Sequence, residues 1–278
     1  MDEIAFRTDD GLCLFASLYE NSEKVSPVLL IIHGMGEHGG RYGHVANYFL
    51  QKGFHVLVPD HRGHGRSEGQ RGHTPSYQAL MRDMALYIKT SGDLFPGMPV
   101  FLYGHSMGGN LTLNYVLRHQ DDRVVAVVAS APYLRLAFKP PAWKVALGKM
   151  AAGIYPALSQ RTGLETAAIS RDEKVVQAYE NDPLVHDVIT ASFFAAVHEA
   201  GEWALHHADT ITVPALLLHG TGDRLTSWQA SETFARKAGE KVSFFRYEGL
   251  YHELHNEPEK EQVLQDVAGW LSRFVAIR

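Results

Sequence analysis

Ser106 stands in Gly104-His105-Ser106-Met107-Gly108, a Gly-x-Ser-x-Gly pentapeptide between an apolar run and a helix-compatible stretch. A serine hydroxyl is a weak nucleophile unless a turn projects it toward a base. A tight strand-to-helix turn does this, and flanking glycines let the backbones approach. A helix beginning at Met107 would aim its first N–H groups and positive dipole end at an oxyanion beside the serine. Two downstream residues could complete the chemistry. Asp223 closes His219-Gly220-Thr221-Gly222-Asp223 after one apolar run, and His252 closes Gly249-Leu250-Tyr251-His252 after the next. A histidine so placed takes the serine's proton, while a carboxylate orients it and stabilises the imidazolium. Asp209, His207, His219 and His255 are weaker substitutes. The oxyanion is expected between the N–H groups of Met107 and Met35, the latter in His33-Gly34-Met35-Gly36-Glu37-His38.

Elements must position these groups. Apolar runs at residues 27–32, 54–58, 100–103, 124–129, 215–218 and 243–247 lack polar alternation, as strands covered on both faces do. Helical candidates fall between them, at 42–52, 77–91, 107–118, 227–238 and 258–274. Strand–helix alternation predicts an α/β protein with a mostly parallel sheet. Runs 4–7 and 12–18, around Asp9-Asp10-Gly11, predict an antiparallel hairpin at one edge. The alternation fails once, between the fourth run and the fifth. Residues 132–213 show helical periodicity and no clear strand, and are too long for an ordinary connection. The expected organisation is a core of residues 1–131 and 214–278, with 132–213 inserted as a helical cap before the acid-bearing strand.

Composition bounds the rest. The 278 residues are 45% hydrophobic and 21% charged, with net charge −5, which excludes a disordered chain and a broadly cationic nucleic-acid binder. The single Cys13 excludes an internal disulfide and reads as structural. His206-His207 and His61/His64 lack companions at ligand spacing, so no metal is expected. The glycine-rich stretch 63–72 has no Gly-Lys-Ser/Thr and is not a phosphate-binding loop. No run reaches the roughly 18 apolar residues of a membrane span, and the acidic N-terminus does not read as a signal peptide. A soluble, cytoplasmic protein is expected.

Several motifs together carry a resemblance. His33-Gly34-Met35-Gly36-Glu37-His38, the stretch from Asp60-His61-Arg62-Gly63 to Ser67-Glu68-Gly69, the Ser106 pentapeptide, Asn181-Asp182-Pro183-Leu184 and Tyr251-His252-Glu253-Leu254-His255 resemble monoacylglycerol lipases. The resemblance implies an α/β-hydrolase fold that cleaves monoacylglycerols to fatty acid and glycerol with no cofactor. It implies Ser106, Asp223 and His252 as the triad, and Met35 and Met107 as oxyanion donors. It places Glu37, Arg41, Tyr179 and His255 around the glycerol hydroxyls. Arg62, His64 and Ser67 are expected to hold a loop beside the site. The alternatives are a lysophospholipase or general carboxylesterase on the same triad and, in another class, a non-catalytic hydrolase-fold receptor. Epoxide hydrolases and dehalogenases would place Asp where Ser106 stands.

The charge is uneven. Residues 131–164 carry five basic residues, Arg135, Lys139, Lys144, Lys149 and Arg161, and no acidic one. Leu136, Phe138, Trp143, Leu147, Met150 and Ile154 lie among them. This pattern fits a helix packed on its own domain and also a lid whose apolar face meets lipid while lysines reach anionic headgroups, one face lining the acyl tunnel and another touching the membrane. The cap is therefore the expected point of peripheral membrane contact, and the expected partner is a lipid ester substrate.

Overall fold

The computed structural model describes residues 1–22, 26–138 and 155–275. The chain runs through β1 (Asp2–Arg7), β2 (Cys13–Tyr19), β3 (Val28–Ile32), α1 (Gly43–Gln51) and β4 (His55–Pro59). It continues through α2 (Tyr77–Leu94), β5 (Val100–His105), α3 (Met107–Arg118) and β6 (Val124–Ser130). Next come β7 (Ser159–Arg161), α4 (Glu173–Glu180), β8 (Val188–Thr190) and α5 (Ala191–His206). The last elements are β9 (Ala215–Gly220), α6 (Trp228–Ala238), β10 (Val242–Tyr247) and α7 (Lys260–Val275).

Eight strands form one sheet in the order β1-β2-β4-β3-β5-β6-β9-β10. The β1–β2 and β2–β4 pairs are antiparallel and the rest are parallel, so the predicted hairpin sits at one edge. The apolar runs are continuous because both faces are covered. Leu30, Ile32, Leu102 and Leu217 enter one core, beneath α2, α3, α5 and α6. Their neighbours Leu29, Ile31, Phe101 and Leu216 enter the other, beneath α1 and α7. Alternate side chains of a strand point to opposite faces, so each strand needs apolar residues at both parities.

The register sets the chemistry at one edge. Ile32 pairs with Gly104, Gly104 with Ala129, Ala129 with Leu217, and Gly220 with Tyr247. The loops after β3, β5, β9 and β10 therefore emerge together at the strands' carboxyl ends, where ligands bind in open α/β sheets.

The structure corrects one expectation in the segment between β6 and β9. It contains a two-stranded antiparallel sheet, β7 with β8, pairing Ser159 with Thr190 and Arg161 with Val188. Val188-Ile189-Thr190 are β-branched and favour extended backbone, and Thr190 accepts from Phe193 N–H to cap α5. A strand this short leaves little period in the sequence. Among the described residues, no helix is long and apolar enough to cross a membrane.

Candidate active site

Ser106 is the turn between β5 and α3. Its φ is +54° and its ψ −114°, a conformation that costs a non-glycine residue about 1–3 kcal/mol. Three backbone bonds hold it there: Ser106 N–H donates to Ser130 O, while Ser106 O accepts from Asn110 and Tyr133. The glycines are sterically required. A Cβ on Gly108 would lie 1.9 Å from Ile32 O, and one on Gly104 would lie 2.3 Å from Gly108 O. The N-cap serines of α2 and α6 each bond their helix, whereas Ser106, at the N-cap of α3, makes no side-chain cap bond. Its hydroxyl is not spent on capping the helix.

Asp223 and His252 meet across adjacent loops. His252 Nδ1 donates to Asp223 Oδ2 over 2.7 Å. Asp223 Oδ1 accepts from the N–H groups of Leu225 (2.7 Å) and Thr226 (3.0 Å), which fixes the carboxylate. Burial works against the Asp223 charge, but the imidazoles of His252 and His219 hold its pKa well below the usual carboxylate value. Burial likewise works against a charged His252, yet the Asp223 carboxylate raises its pKa above the usual histidine value. The His252 ring lies 4.7 Å from that of His105, the residue preceding Ser106. Among the described residues, no hydrogen bond joins Ser106 Oγ to His252. Such bonds are often long without substrate and tighten in the complex.

The loop after β3 lies against the serine. A Cβ on Gly34 would stand 3.3 Å from Ser106 Cβ, so the half-buried Met35 follows a backbone already at Ser106. Met107 is buried at the first position of α3, where an N–H has no intrahelical acceptor.

Glu37, Arg41 and Tyr179 also come together. Glu37 Oε1 accepts from Gly34 N–H (2.6 Å) and Tyr42 OH (2.7 Å), and Glu37 Oε2 accepts from Arg41 (2.5 Å). Arg41 also makes a two-pronged pair with Glu253, at 2.7 and 2.8 Å, and stacks 4.7 Å from the Tyr179 ring. Burial pushes the Glu37 pKa up, with Arg41 opposing it. His255 sits deeper, fully buried, stacked on Tyr42 at 4.7 Å and edge-on to His105 at 4.9 Å.

A family model described as serine aminopeptidase, S33 (Hydrolase_4) matches residues 23–259. Monoacylglycerol lipase of Mycolicibacterium smegmatis is 36% identical over 88% of this chain and 87% of its own length. The chain belongs to the monoacylglycerol lipase family of α/β-hydrolases. The crystal structure of Paleococcus ferrophilus monoacylglycerol lipase is similar with a TM-score of 0.85 and 33% identity, covering 94% of this chain and 99% of that one. An uncharacterized abhydrolase domain-containing protein of Dictyostelium discoideum is 34% identical over 93% of this chain, which spans only 28% of that longer protein.

The remaining expected residues fall as follows. Arg62 is buried between Asp83 and Asp10, Ser67 Oγ donates to Asp60 O, and His64 packs among His33, His61 and His186. Asp209 pairs with Lys237 and His207 stacks on Trp203. Leu136 bridges to Thr226 in the acid loop, and Phe138 is 56% exposed. Trp143, Leu147, Met150 and Ile154 lie outside the described residues. The sequence reading missed Glu253 as the second partner of Arg41. Its signal was an acidic residue directly after the candidate base, matched to an arginine in the loop after β3.

Proposed function

We propose that this protein hydrolyses monoacylglycerols to free fatty acid and glycerol, with Ser106 as nucleophile, His252 as general base and Asp223 as its orienting acid. The observation that carries the reading is the 2.7 Å His252–Asp223 bond beside a strained serine turn, in a chain of the monoacylglycerol lipase family. Ser106 Oγ attacks the ester carbonyl as His252 Nε2 takes its proton, and Asp223 stabilises the imidazolium. The N–H groups of Met35 and Met107 receive the oxyanion. His252 then protonates the departing glycerol oxygen, and water, deprotonated by His252, releases the acyl group from Ser106.

Glu37, Arg41, Tyr179 and His255 form the glycerol end in this reading. The Arg41 pairs with Glu37 and Glu253 support it by keeping polar groups fixed near the nucleophile. Residues 132–213 act as the cap over a core of 1–131 and 214–278. Its surface is the point of peripheral membrane contact; Phe138, Tyr155 and Leu158 are 56%, 68% and 57% exposed beside the basic stretch.

Initial rates on monoacyl-, diacyl- and triacylglycerols and a lysophospholipid test the substrate assignment. The proposal expects monoacylglycerol to be fastest. A lysophospholipid turned over faster would reassign the substrate and keep the triad. Flotation with anionic vesicles at low salt tests the membrane contact, and unbound protein there contradicts it.

A further inference from the structure

We propose that His219 is a positioning residue that shares the Asp223 carboxylate with His252; the proposal rests on the triad reading above. His219 lies in β9 and is fully buried. Its Nε2 stands 3.0 Å from Asp223 Oδ2, the same oxygen that accepts from His252 Nδ1 at 2.7 Å. Its Nδ1 stands 2.8 Å from Ser231 Oγ on α6. One tautomer satisfies both contacts: Nε2–H donates to Asp223 while Nδ1 accepts from the Ser231 hydroxyl. A buried serine–histidine chain therefore reaches Asp223 alongside His252. Ser231 is fully buried and is no nucleophile; its part is to fix the His219 tautomer.

The consequence is electrostatic. The charge on Asp223 Oδ2 stabilises the imidazolium that His252 becomes when it takes the serine's proton. A second N–H on that oxygen keeps the carboxylate ionised and draws part of its charge away from His252. Oδ1 is already held by the Leu225 and Thr226 N–H groups, so the carboxylate cannot rotate away from His219 without breaking two backbone bonds. Thr226 Oγ1, 2.9 Å from Oδ2, adds a third polar contact. The other titratable groups facing His252 are His105, His255, Glu253 and Glu37. None of these is altered by substitution at 219 or 231.

The test is the pH profile of kcat/KM for ester hydrolysis by the wild type, His219→Leu, His219→Gln and Ser231→Ala, with Ser106→Ala as the blank. Leu removes the donor, and Gln keeps an N–H on a side chain of similar reach. In His219→Leu the acid limb, set by His252, should move to higher pH by about half a unit because Oδ2 no longer shares its charge. Loss of a donor that positions Asp223 against His252 should outweigh that gain and lower kcat about tenfold, with KM little changed. His219→Gln should restore both. Ser231→Ala leaves His219 in place and should move the limb in the same direction by less. An unmoved limb in His219→Leu overturns the proposal, as does equal loss in the Leu and Gln variants. If His219→Leu does not fold, an unmoved limb in Ser231→Ala overturns it. Hydrolysis that persists in Ser106→Ala overturns the triad reading instead, so the two failures are distinguishable.

Discussion

His252 Nδ1 lies 2.7 Å from Asp223 Oδ2, and the two residues stand in loops that follow neighbouring parallel strands, β9 and β10. The strands pair from Ala215 with Val242 through Gly220 with Tyr247, so the sheet itself sets the separation of those loops. Replacing Asp223 with Asn keeps the shape and removes the charge, leaving His252 without a stabilised imidazolium. Asp223→Asn should lower kcat by about 10³–10⁴ with little change in the unfolding midpoint. A variant that retains a tenth of wild-type kcat would contradict the role of Asp223.

The glycines of the turn give a stability prediction. Gly108→Ala sets a methyl 1.9 Å from Ile32 O, a backbone atom of β3 that cannot retreat without disturbing the sheet. Destabilisation should exceed about 3 kcal/mol by urea unfolding, in the range of severe packing and backbone clashes. Gly11→Ala is a useful contrast: its added Cβ meets nothing within 4 Å, and only its positive φ is penalised.

Arg41 holds two buried carboxylates, Glu37 in the loop after β3 and Glu253 beside His252. Arg41→Ala leaves both charges facing each other without a cation. This should cost about 3–5 kcal/mol of stability, as for other buried pairs broken from one side. It should also lower activity, because Glu37 Oε1 bonds the Gly34 N–H next to Met35. Unfolding in urea, followed alongside ester hydrolysis, reads both effects.

How much of this was legible beforehand follows from the range of each signal. The six core strands and the edge hairpin came from local apolar runs, and the serine turn from a pentapeptide with its own steric logic. Asp223 and His252 were legible because each directly follows a strand run. The β7–β8 pair was not, since three-residue strands joined across a long gap leave no period. Glu253 and the Asp223 contact of His219 were also hidden. The Arg41–Glu253 pair depends on which loops the sheet brings side by side, which is set by long-range pairing. His219 and Asp223 are only four residues apart, and their contact depends on how the loop after β9 turns back on the strand end.

Acid should destabilise the fold through its buried histidines. Burial is the largest cause lowering the pKa of His33, His61 and His64 well below the ordinary 6.5, and neighbouring imidazoles add to it. Unfolding returns each to near its ordinary value, so the unfolded chain binds more protons as pH falls below about 6.5. Stability contributed by these neutral rings is present above that pH and lost progressively beneath it. Urea midpoints at stepped pH values between 7.5 and 5 should fall toward acid. A midpoint that rises over this interval would show that the cluster is charged in the folded state.

Release of fatty acid from a monoacylglycerol by wild-type and Ser106→Ala protein tests the central claim most directly. The wild type should turn over the ester, and a fluorophosphonate probe should label it at Ser106 alone. Ser106→Ala should retain the wild-type unfolding midpoint, take no label and release no fatty acid above the buffer rate. Hydrolysis at the wild-type rate by folded Ser106→Ala would contradict the account.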